Sequence, residues 1–304
     1  MACLLTEIEN NKKQRATSLL KELFPHTGKA LVIGVTGSSG VGKSTLVNGL
    51  AHYYSRAGEK VGVIAVDPSS PFSGGAILGD RIRMQSLATD PNVFVRSMAT
   101  RGKMGGLSSA VDEALLVLDA AGYKILIVET VGVGQDEVDI IKTSHVTLVL
   151  LAPGMGDDVQ NVKAGIMEIG DIFVVNKSDK DGFSGMEQDL KALFSLSPRE
   201  DGWTPPVLKT VATRNEGLPE LVEALSKYRK FLSSSEKSKQ RQIFFFQNKI
   251  IDFLRERLEE EILAKIPEKK LNSYAEKMMT RELDPYTLVN LLLEEIGFLE
   301  VSNR

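Results

Sequence analysis

The sequence predicts an α/β fold in which a doubly wound, mostly parallel sheet carries helices on both faces. Short apolar runs rich in β-branched residues recur along the chain, and helix-length segments separate them. Continuous apolar runs are typical of strands buried on both faces, and parallel strands need such crossovers. A glycine-rich turn follows the first run. The length of 304 residues accommodates one such domain with appendages.

The predicted elements follow one another in a regular order. Residues 5–24 predict an amphipathic helix, closed by Pro25 and Gly28. A helix with Leu46, Leu50 and Tyr54 at spacing four follows the first strand. Residues 1–30 are therefore predicted to form an N-terminal helical extension. The α/β domain is predicted to span residues 31–232, with strands at residues 31–36, 61–66, 124–129, 146–152, 171–176 and 206–211.

The strand pattern stops after residue 232, so residues 233–304 are predicted to form a helical arm. A polar connector, residues 233–242, precedes a long amphipathic helix that Pro267 ends. A further helix opens at Asp284 and Pro285, as N-cap and first helical residue, and stops at Gly297. These helices are too few to bury their apolar faces alone. They either pack on the α/β domain or form a homodimer, and the homodimer is the prediction adopted.

Composition and charge exclude several classes of protein. Asp and Glu number 40 against 37 Lys and Arg, a net charge of −3, which argues against nucleic-acid binding by broad phosphate neutralisation. Cys3 is the single cysteine, so no intrachain disulfide forms, as is usual in a reducing compartment. No window approaches the roughly 18 apolar residues of a membrane span, and no signal peptide is evident. We expect a cytoplasmic protein that binds neither membrane nor nucleic acid.

The glycine-rich turn has the spacing of a phosphate-binding loop. The run GSSGVGKS, residues 37–44, matches G-x-x-x-x-G-K-[ST] between a predicted strand and a predicted helix. Its backbone N–H groups would cradle phosphates, Lys43 would reach the β- and γ-phosphates, and the Ser44 hydroxyl would bind Mg²⁺. The predicted nucleotide-binding residues here are Gly37, Ser38, Ser39, Gly40, Val41, Gly42, Lys43, Ser44 and Thr45.

Two later segments indicate which base is bound. Asn176, Lys177, Ser178 and Asp179 form an N-K-x-D pattern at the end of a predicted strand. The Asp179 carboxylate would accept hydrogen bonds from guanine N1–H and the 2-amino group, a pair of donors that adenine does not offer. Val211, Ala212 and Thr213 stand where a backbone N–H would meet guanine O6. GTP and GDP are thus the predicted ligands.

Acidic residues at two strand ends are candidates for the metal site. Asp67 and Glu129 each end a predicted strand, and Gly132 follows Glu129 at the spacing of a D-x-x-G motif with Glu for Asp. Such a carboxylate holds the Mg²⁺ shell, and such a glycine N–H touches the γ-phosphate. Either acid could instead only cap its strand. Gln135 is poorly placed to orient water, so slow intrinsic hydrolysis is expected.

Three long segments are interpreted either as ordinary loops or as switches. Residues 67–84 and 96–109 are rich in glycine and arginine, and residues 153–167 include Asp157, Asp158 and Lys163. Long loops without periodicity are often functional.

These motifs together resemble one family. DPSS, GGAILGDRIRM, RSMATRG, ETVGVGQ, PGMGDD and NKSD, in this order, resemble the MeaB/ArgK family of P-loop GTPases, which includes the methylmalonic aciduria type A protein. The resemblance implies Mg²⁺-dependent GTP hydrolysis, a dimerisation arm, and a chaperone role for an adenosylcobalamin-dependent acyl-CoA mutase such as methylmalonyl-CoA mutase. It also implies Mg²⁺-linked roles for Ser44, Asp67, Asp80 and Glu129. Lys43, Asp80 and Glu129 are the catalytic residues that it implies.

The sequence departs from the family pattern at two points. Asp136 stands where the family usually has Ser, and the N-terminal extension is shorter than is common.

Two alternative functions are considered. A nickel-delivering GTPase shares this type of domain, but it needs His or Cys ligands, and only His26, His52, His145 and Cys3 are available. A transport-linked, kinase-like ATPase is the other alternative, which preference for GTP over ATP would exclude.

Overall fold

A computed structural model describes residues 4–6, 13–67, 85–99, 109–130, 136–154, 169–196, 198–234 and 236–298. By internal contacts the chain divides into two compact units, residues 1–243 and 244–304. The predicted segments 1–30, 31–232 and 233–304 stay a prediction.

The first unit is built on one parallel sheet, as the sequence predicts. Its strands are β1 Leu31–Thr36, β2 Val61–Asp67, β3 Val93–Ala99, β4 Ile125–Glu129, β5 Val146–Leu151, β6 Ile172–Val175 and β7 Val207–Lys209. They lie in the order β3-β2-β4-β1-β5-β6-β7, and each neighbouring pair is parallel. The carboxyl ends of all seven therefore share one edge of the sheet, which is where open α/β sheets bind ligands.

The helices of the first unit are numbered in the order in which they follow one another along the chain. In the first unit they are α1 Lys13–Leu23, α2 Lys43–Arg56, α3 Gln85–Ala88, α4 Ser109–Ala120, α5 Asp136–Thr143, α6 Phe183–Leu196 and α7 Leu218–Ser234. Short 3₁₀ turns cover Phe24–His26 and Ala212–Arg214. Helix α8, Glu236–Lys265, begins before the division between the units, and α9 Glu268–Met279 and α10 Pro285–Glu295 follow.

The core lies on both faces of the sheet because successive strand residues point to opposite sides. On one face, Ile33 and Val35 pack with Leu50 of α2 and Tyr228 of α7. Val32 on the other face packs in a cluster with residues of α4. Gly34 lets α5 approach β1 closely, since a Cβ there would collide with Ile140 and Ser144. The central strands β1, β4 and β5 are buried throughout.

Strand β3 corrects the prediction of a loop over residues 96–109, because residues 96–99 belong to that strand. Among the described strands, β3 lies at the edge of the sheet and pairs with β2 alone. It carries Arg96 and Ser97, so it lacks the continuous apolar pattern by which the buried strands were predicted.

The described residues of the predicted polar connector, residues 233–242, are helical. Helix α7 runs to Ser234, and α8 begins at Glu236. The run is rich in Lys, Glu, Gln and Arg, which are good helix formers, so a polar sequence is compatible with helix here.

The second unit confirms the predicted start of the last helix. The Asp284 side chain accepts hydrogen bonds from the backbone N–H groups of Tyr286 and Thr287, each at 3.0 Å, and Pro285 is the first residue of α10. Gly297 follows the helix with φ +71°. Lys270 of α9 pairs with Glu295 of α10, and Leu288 is buried.

Candidate functional site

The phosphate loop, residues 37–44, connects β1 to α2 at the carboxyl edge of the sheet. Gly37 and Gly42 have φ values of +137° and +100°, in a region that other residues rarely adopt. A Cβ on Gly37 would collide with the carbonyl oxygen of Leu150, and one on Gly42 with the side-chain amide of Asn176. These two glycines are therefore required both by backbone conformation and by close packing.

Lys43 is buried at the start of α2, and its side chain folds back over the phosphate loop. Its Nζ donates to the carbonyl oxygens of Gly37 at 2.7 Å and Ser38 at 3.1 Å. A cation held on the loop whose backbone would cradle phosphates favours an anionic ligand.

Ser44 and Glu129 lie together beside the phosphate loop. Glu129 ends β4 in register with Val35 of β1, and its side chain is buried. Ser44 Oγ donates a 2.6 Å hydrogen bond to Glu129 Oε1. Because the hydroxyl donates its hydrogen bond to the carboxylate, its lone pairs are available to a hard cation. Hydroxyl and carboxylate oxygens are ligands that suit Mg²⁺.

Asp67 ends the neighbouring strand. Ala65 of β2 is in register with Glu129, and Asp67 stands two residues further along β2, at the same edge of the sheet. The backbone thus brings this predicted metal residue close to Glu129. Asp80 and Gly132, which were also predicted for this site, lie outside the described residues, as do residues 68–84, 100–108, 131–135 and 155–168.

The base loop, residues 176–179, is joined to the phosphate loop by the buried side chain of Asn176. Asn176 Nδ2 donates to the carbonyl oxygen of Val41 at 2.8 Å. Its Oδ1 accepts from Thr210 Oγ1 at 3.1 Å and from the Ala212 N–H at 3.0 Å. One amide therefore links the loops after β1, β6 and β7.

Lys177 adds a second link between the same loops. Its backbone is left-handed with φ +55°, which is uncommon outside glycine. Its Nζ donates to the Gly40 carbonyl oxygen at 2.7 Å. Beside it, the Ser178 hydroxyl donates to the Thr210 carbonyl oxygen at 3.0 Å. Hydrogen bonds connect the base loop to its two neighbouring loops, and they come from the side chains of Asn176, Lys177 and Ser178.

Asp179 differs from these residues because it lies at the rim. Its carboxylate is 43% exposed, and its Oδ2 accepts a 2.8 Å hydrogen bond from Arg214 Nη2. Arg214 ends the 3₁₀ turn in the closing loop, residues 211–217. The sequence prediction missed Arg214 and Thr210, because nothing in their spacing along the chain shows that they would contact the base loop.

The three predicted residues of the closing loop have different surroundings. Val211 and Ala212 are buried, whereas Thr213 is exposed. Val211 pairs with Glu216 in an isolated antiparallel bridge, which closes the loop on itself. The Ala212 N–H, which belongs to the segment predicted to meet guanine O6, donates to Asn176 in this structure.

Two features are absent from the described residues. Among them, no group of three or more His, Cys, Asp or Glu side chains is arranged to hold a metal ion. No helix in the described ranges has both the length and the apolar composition needed to cross a membrane.

The family model for methylmalonyl Co-A mutase-associated GTPase MeaB matches residues 1–269. A Pyrococcus abyssi protein whose name calls it a GTPase is 44% identical over 308 residues, covering 100% of this chain and 95% of that protein. GTPase ArgK of Escherichia coli is 38% identical, covering 86% of this chain and 80% of its own. The mitochondrial methylmalonic aciduria type A homolog of Caenorhabditis elegans is 39% identical over 64% of this chain and 50% of its own length.

Two solved structures resemble this chain. A crystal structure of an LAO/AO transport system kinase is 29% identical, with a TM-score of 0.69, and covers 97% of this chain and 92% of its own. HypB from Helicobacter pylori in complex with nickel is 17% identical, with a TM-score of 0.51, over 71% of this chain and 94% of its own, and this likeness shows the fold alone. The family match, the named relatives and the phosphate-loop fold lead to one conclusion: the chain belongs to the MeaB/ArgK family of P-loop GTPases and is related to the methylmalonic aciduria type A protein.

Proposed function

We propose that the chain binds GTP and GDP, hydrolyses GTP with Mg²⁺, and through its nucleotide state gates the loading and protection of an adenosylcobalamin-dependent acyl-CoA mutase in the cytoplasm. The observation that carries the nucleotide part is Asn176, which joins the phosphate loop, the base loop and the closing loop by hydrogen bonds of 2.8 to 3.1 Å. A base bound at Asp179 and phosphates bound at Lys43 would therefore contact loops that are directly connected to one another.

The proposed roles follow from the chemistry of each side chain. Lys43 would exchange its contacts with the Gly37 and Ser38 carbonyl oxygens for phosphate oxygens, which carry a full negative charge. Asp179 would accept the two donors of guanine. Ser44 would ligate Mg²⁺ while Glu129 accepts a hydrogen bond from its hydroxyl. When bound, Mg²⁺ would neutralise charge that develops on the phosphates.

The remaining predicted residues are part of the same proposal. Asp67 and Asp80 would complete the Mg²⁺ shell, with Asp80 also catalytic alongside Lys43 and Glu129. The N–H of Gly132 would touch the γ-phosphate. The rest of the nucleotide set is Gly37, Ser38, Ser39, Gly40, Val41, Gly42, Thr45, Asn176, Lys177, Val211, Ala212 and Thr213.

A direct test of the nucleotide part uses the base. The Asp179→Asn variant should lose affinity for GTP and gain affinity for xanthosine triphosphate, whose 2-oxo group would meet the Asn amide donor. ATP should bind far more weakly than GTP to the unaltered chain. Equal binding of ATP and GTP, or an Asp179→Asn variant with unaltered base preference, would contradict guanine recognition.

The mutase partner is supported by the name of the family and of the Caenorhabditis elegans relative. The purified chain should form a complex with the acyl-CoA mutase encoded in the same genome, and the GTPase rate should change on mixing. Recovery of mutase activity after inactivation should require the chain and GTP. If the two proteins neither associate nor alter each other's rate, the mutase proposal fails while the GTPase proposal stands.

A homodimer formed through the second unit is supported by its apolar surface. Phe246, Ile250 and Leu254 lie at spacing four on α8 and are 53%, 66% and 55% exposed. Contiguous exposed apolar residues mark association surfaces. Sedimentation should give a dimer, and Ile250→Glu with Leu254→Glu should give a monomer. Arg257→Glu, an exposed change on the same helix, is the control; a monomeric unaltered chain would contradict the proposal.

Neither alternative function is favoured. In the described residues His145 Nδ1 accepts the Val32 N–H at 3.1 Å, and His52 lies 3.8 Å from Asp90, so these two imidazoles serve separate structural contacts. The Pyrococcus abyssi and Escherichia coli relatives are named GTPases, and the name of a transport system kinase belongs to the solved neighbour.

A further inference from the structure

Arg214 lies at the mouth of the site, where it joins the closing loop to the base loop from outside. Its Nη2 donates to Asp179 Oδ2 at 2.8 Å, and the two side chains are 54% and 43% exposed. The inner connection between the same loops is the buried contact of Asn176 with Ala212. Arg214 and Asn176 thus hold the two loops together at the rim and in the interior.

The backbone of Arg214 is fixed. Its N–H donates to the Val211 carbonyl oxygen at 2.9 Å, and Asn215 follows in the left-handed conformation with φ +57°. Val211 and Glu216 exchange hydrogen bonds of 3.2 and 3.3 Å, which close the loop. Glu216 Oε1 also lies 3.6 Å from Arg214 Nη1. The guanidinium therefore projects from a closed turn and lies between two carboxylates.

The hydrogen bond from Arg214 leaves acceptor positions on the Asp179 carboxylate available. An ionised carboxylate has about four acceptor positions on its two oxygens. One N–H from Arg214 leaves enough of them for the two donors of guanine. A carboxylate at a half-exposed rim otherwise rotates freely, and that freedom is lost when a ligand binds. A partner that holds it in one rotamer reduces this cost, which is preorganisation.

We propose that Arg214 is a positioning residue for base specificity, which orients the Asp179 carboxylate towards the paired donors of guanine. This inference rests on the proposed guanine recognition by Asp179. Guanine presents N1–H and a 2-amino group, whereas hypoxanthine presents N1–H alone. Correct rotation of both carboxylate oxygens matters more to the base with two donors. Arg214 therefore contributes to discrimination between the two bases as well as to affinity.

The test is calorimetric titration of GDP and IDP into the full chain and its variants. Arg214→Ala should weaken GDP binding about three-fold, the size expected for loss of a partly exposed ion pair, and should weaken IDP binding less. Arg214→Lys, which keeps the charge but loses the planar fork, should fall between. In GTPase assays KM should rise while kcat stays unchanged, because the contacts of Arg214 lie in the base-reading loops.

The control is Lys227→Ala, which breaks an exposed pair of similar length, 2.7 Å to Glu223, on α7. It should leave both affinities unchanged. An unaltered ratio of GDP to IDP affinity in Arg214→Ala would overturn the inference, and so would tighter GDP binding, which would make Arg214 a competitor of the base. If Asp179→Asn leaves GDP affinity unchanged, guanine recognition by Asp179 fails instead.

Discussion

Asn176 Nδ2 and the carbonyl oxygen of Val41 are joined by a 2.8 Å hydrogen bond, across 135 positions of the chain. The bond is buried, and it connects the phosphate loop directly to the base loop. A nucleotide that contacts both loops therefore meets a frame that is already assembled.

Replacement of Asn176 by Ala should weaken both folding and nucleotide binding. The change leaves the Val41 carbonyl oxygen and the Ala212 N–H without their partner, and each buried unsatisfied group costs about 1–3 kcal/mol. Urea unfolding should report the lower stability, and GDP affinity should fall by about ten-fold or more as the loops separate.

Thr210→Val is the matched control for Asn176. It removes the 3.1 Å bond to Asn176 Oδ1 but keeps the link to Val41. It should cost stability with only a small loss of GDP affinity. If both variants weaken GDP equally, the bond to Val41 is not what positions the nucleotide.

Gly42→Ala should weaken nucleotide binding strongly. The residue has φ +100°, and its added Cβ would collide with the Asn176 amide, so the phosphate loop must shift. Backbone strain in the left-handed region costs about 1–2 kcal/mol for other residues, and displacement of the loop adds to it. GDP titration should show at least about a ten-fold loss of affinity.

Gly58→Ala is the control that separates the effect of backbone strain from that of the collision with Asn176. Gly58 has φ +84°, and a Cβ there would meet nothing within 4 Å. This variant should lose similar stability to backbone strain yet bind GDP normally. A comparable loss of GDP affinity in Gly58→Ala would show that general destabilisation, and not the contact with Asn176, explains the Gly42 result.

Glu129→Gln should raise the Mg²⁺ concentration needed for GTP hydrolysis. Gln can still accept the hydrogen bond from Ser44, but it removes the buried negative charge beside the proposed metal site. Changes in groups that support metal ligands typically cost about 10- to 100-fold in metal affinity or activity. Titration of the GTPase rate with Mg²⁺ measures this shift. Glu220→Gln, in the exposed first turn of α7, should leave the Mg²⁺ dependence unaltered, and an unaltered dependence in Glu129→Gln would exclude Glu129 from the metal site.

Most strands were predictable because burial on both faces demands continuous apolar sequence, as in Ile125–Glu129 and Val146–Leu151. Strand β3 escaped prediction because it lies at the edge of the described sheet and contains Arg96, which interrupts the apolar pattern. Motif spacing predicted Lys43 and Asp179 as site residues, since each belongs to a motif that is contiguous along the chain. The pairing of Arg214 with Asp179 depends on how loops after two different strands meet, which spacing along the chain does not encode.

Acidification should remove a contribution from Asp90, which precedes β3. Its Oδ2 accepts from Ser55 Oγ at 2.7 Å and its Oδ1 from the Asn92 N–H at 2.9 Å. The Ser55 hydrogen bond, followed by that of Asn92, lowers the pKa of Asp90. Because the folded pKa lies below the unfolded value of about 3.9, the contribution is complete above that value. It is lost as pH falls through the lowered folded pKa.

Ser55→Ala tests this sign. The difference in unfolding free energy between the unaltered chain and Ser55→Ala should be constant from about pH 5 to 6 and should shrink below about pH 4. Urea unfolding across this range measures it. A difference that persists unchanged to about pH 3 would mean that the Ser55 contact does not depend on the ionised Asp90 carboxylate.

Arg199→Ala should destabilise the domain strongly and leave nucleotide binding intact. Arg199 donates to Asp171 Oδ1 at 2.9 Å and to Asp201 Oδ2 at 2.6 Å, and the Asp171 side chain is only 1% exposed. Burial alone would lower the pKa of Arg199, but Asp201 and Asp171 outweigh it and raise that pKa. Removal of one partner of a buried pair costs about 3–5 kcal/mol because the other charge stays buried.

The position of this network explains why binding should survive. Asp171 directly precedes β6, so the network lies at the amino edge of the sheet, opposite the phosphate loop. Lys191→Ala, which breaks an exposed pair with Glu187 on α6, is the control and should change stability by less than about 0.5 kcal/mol. Urea unfolding and GDP titration of both variants separate the two effects. A loss of GDP affinity in folded Arg199→Ala would mean that the two edges of the sheet are coupled.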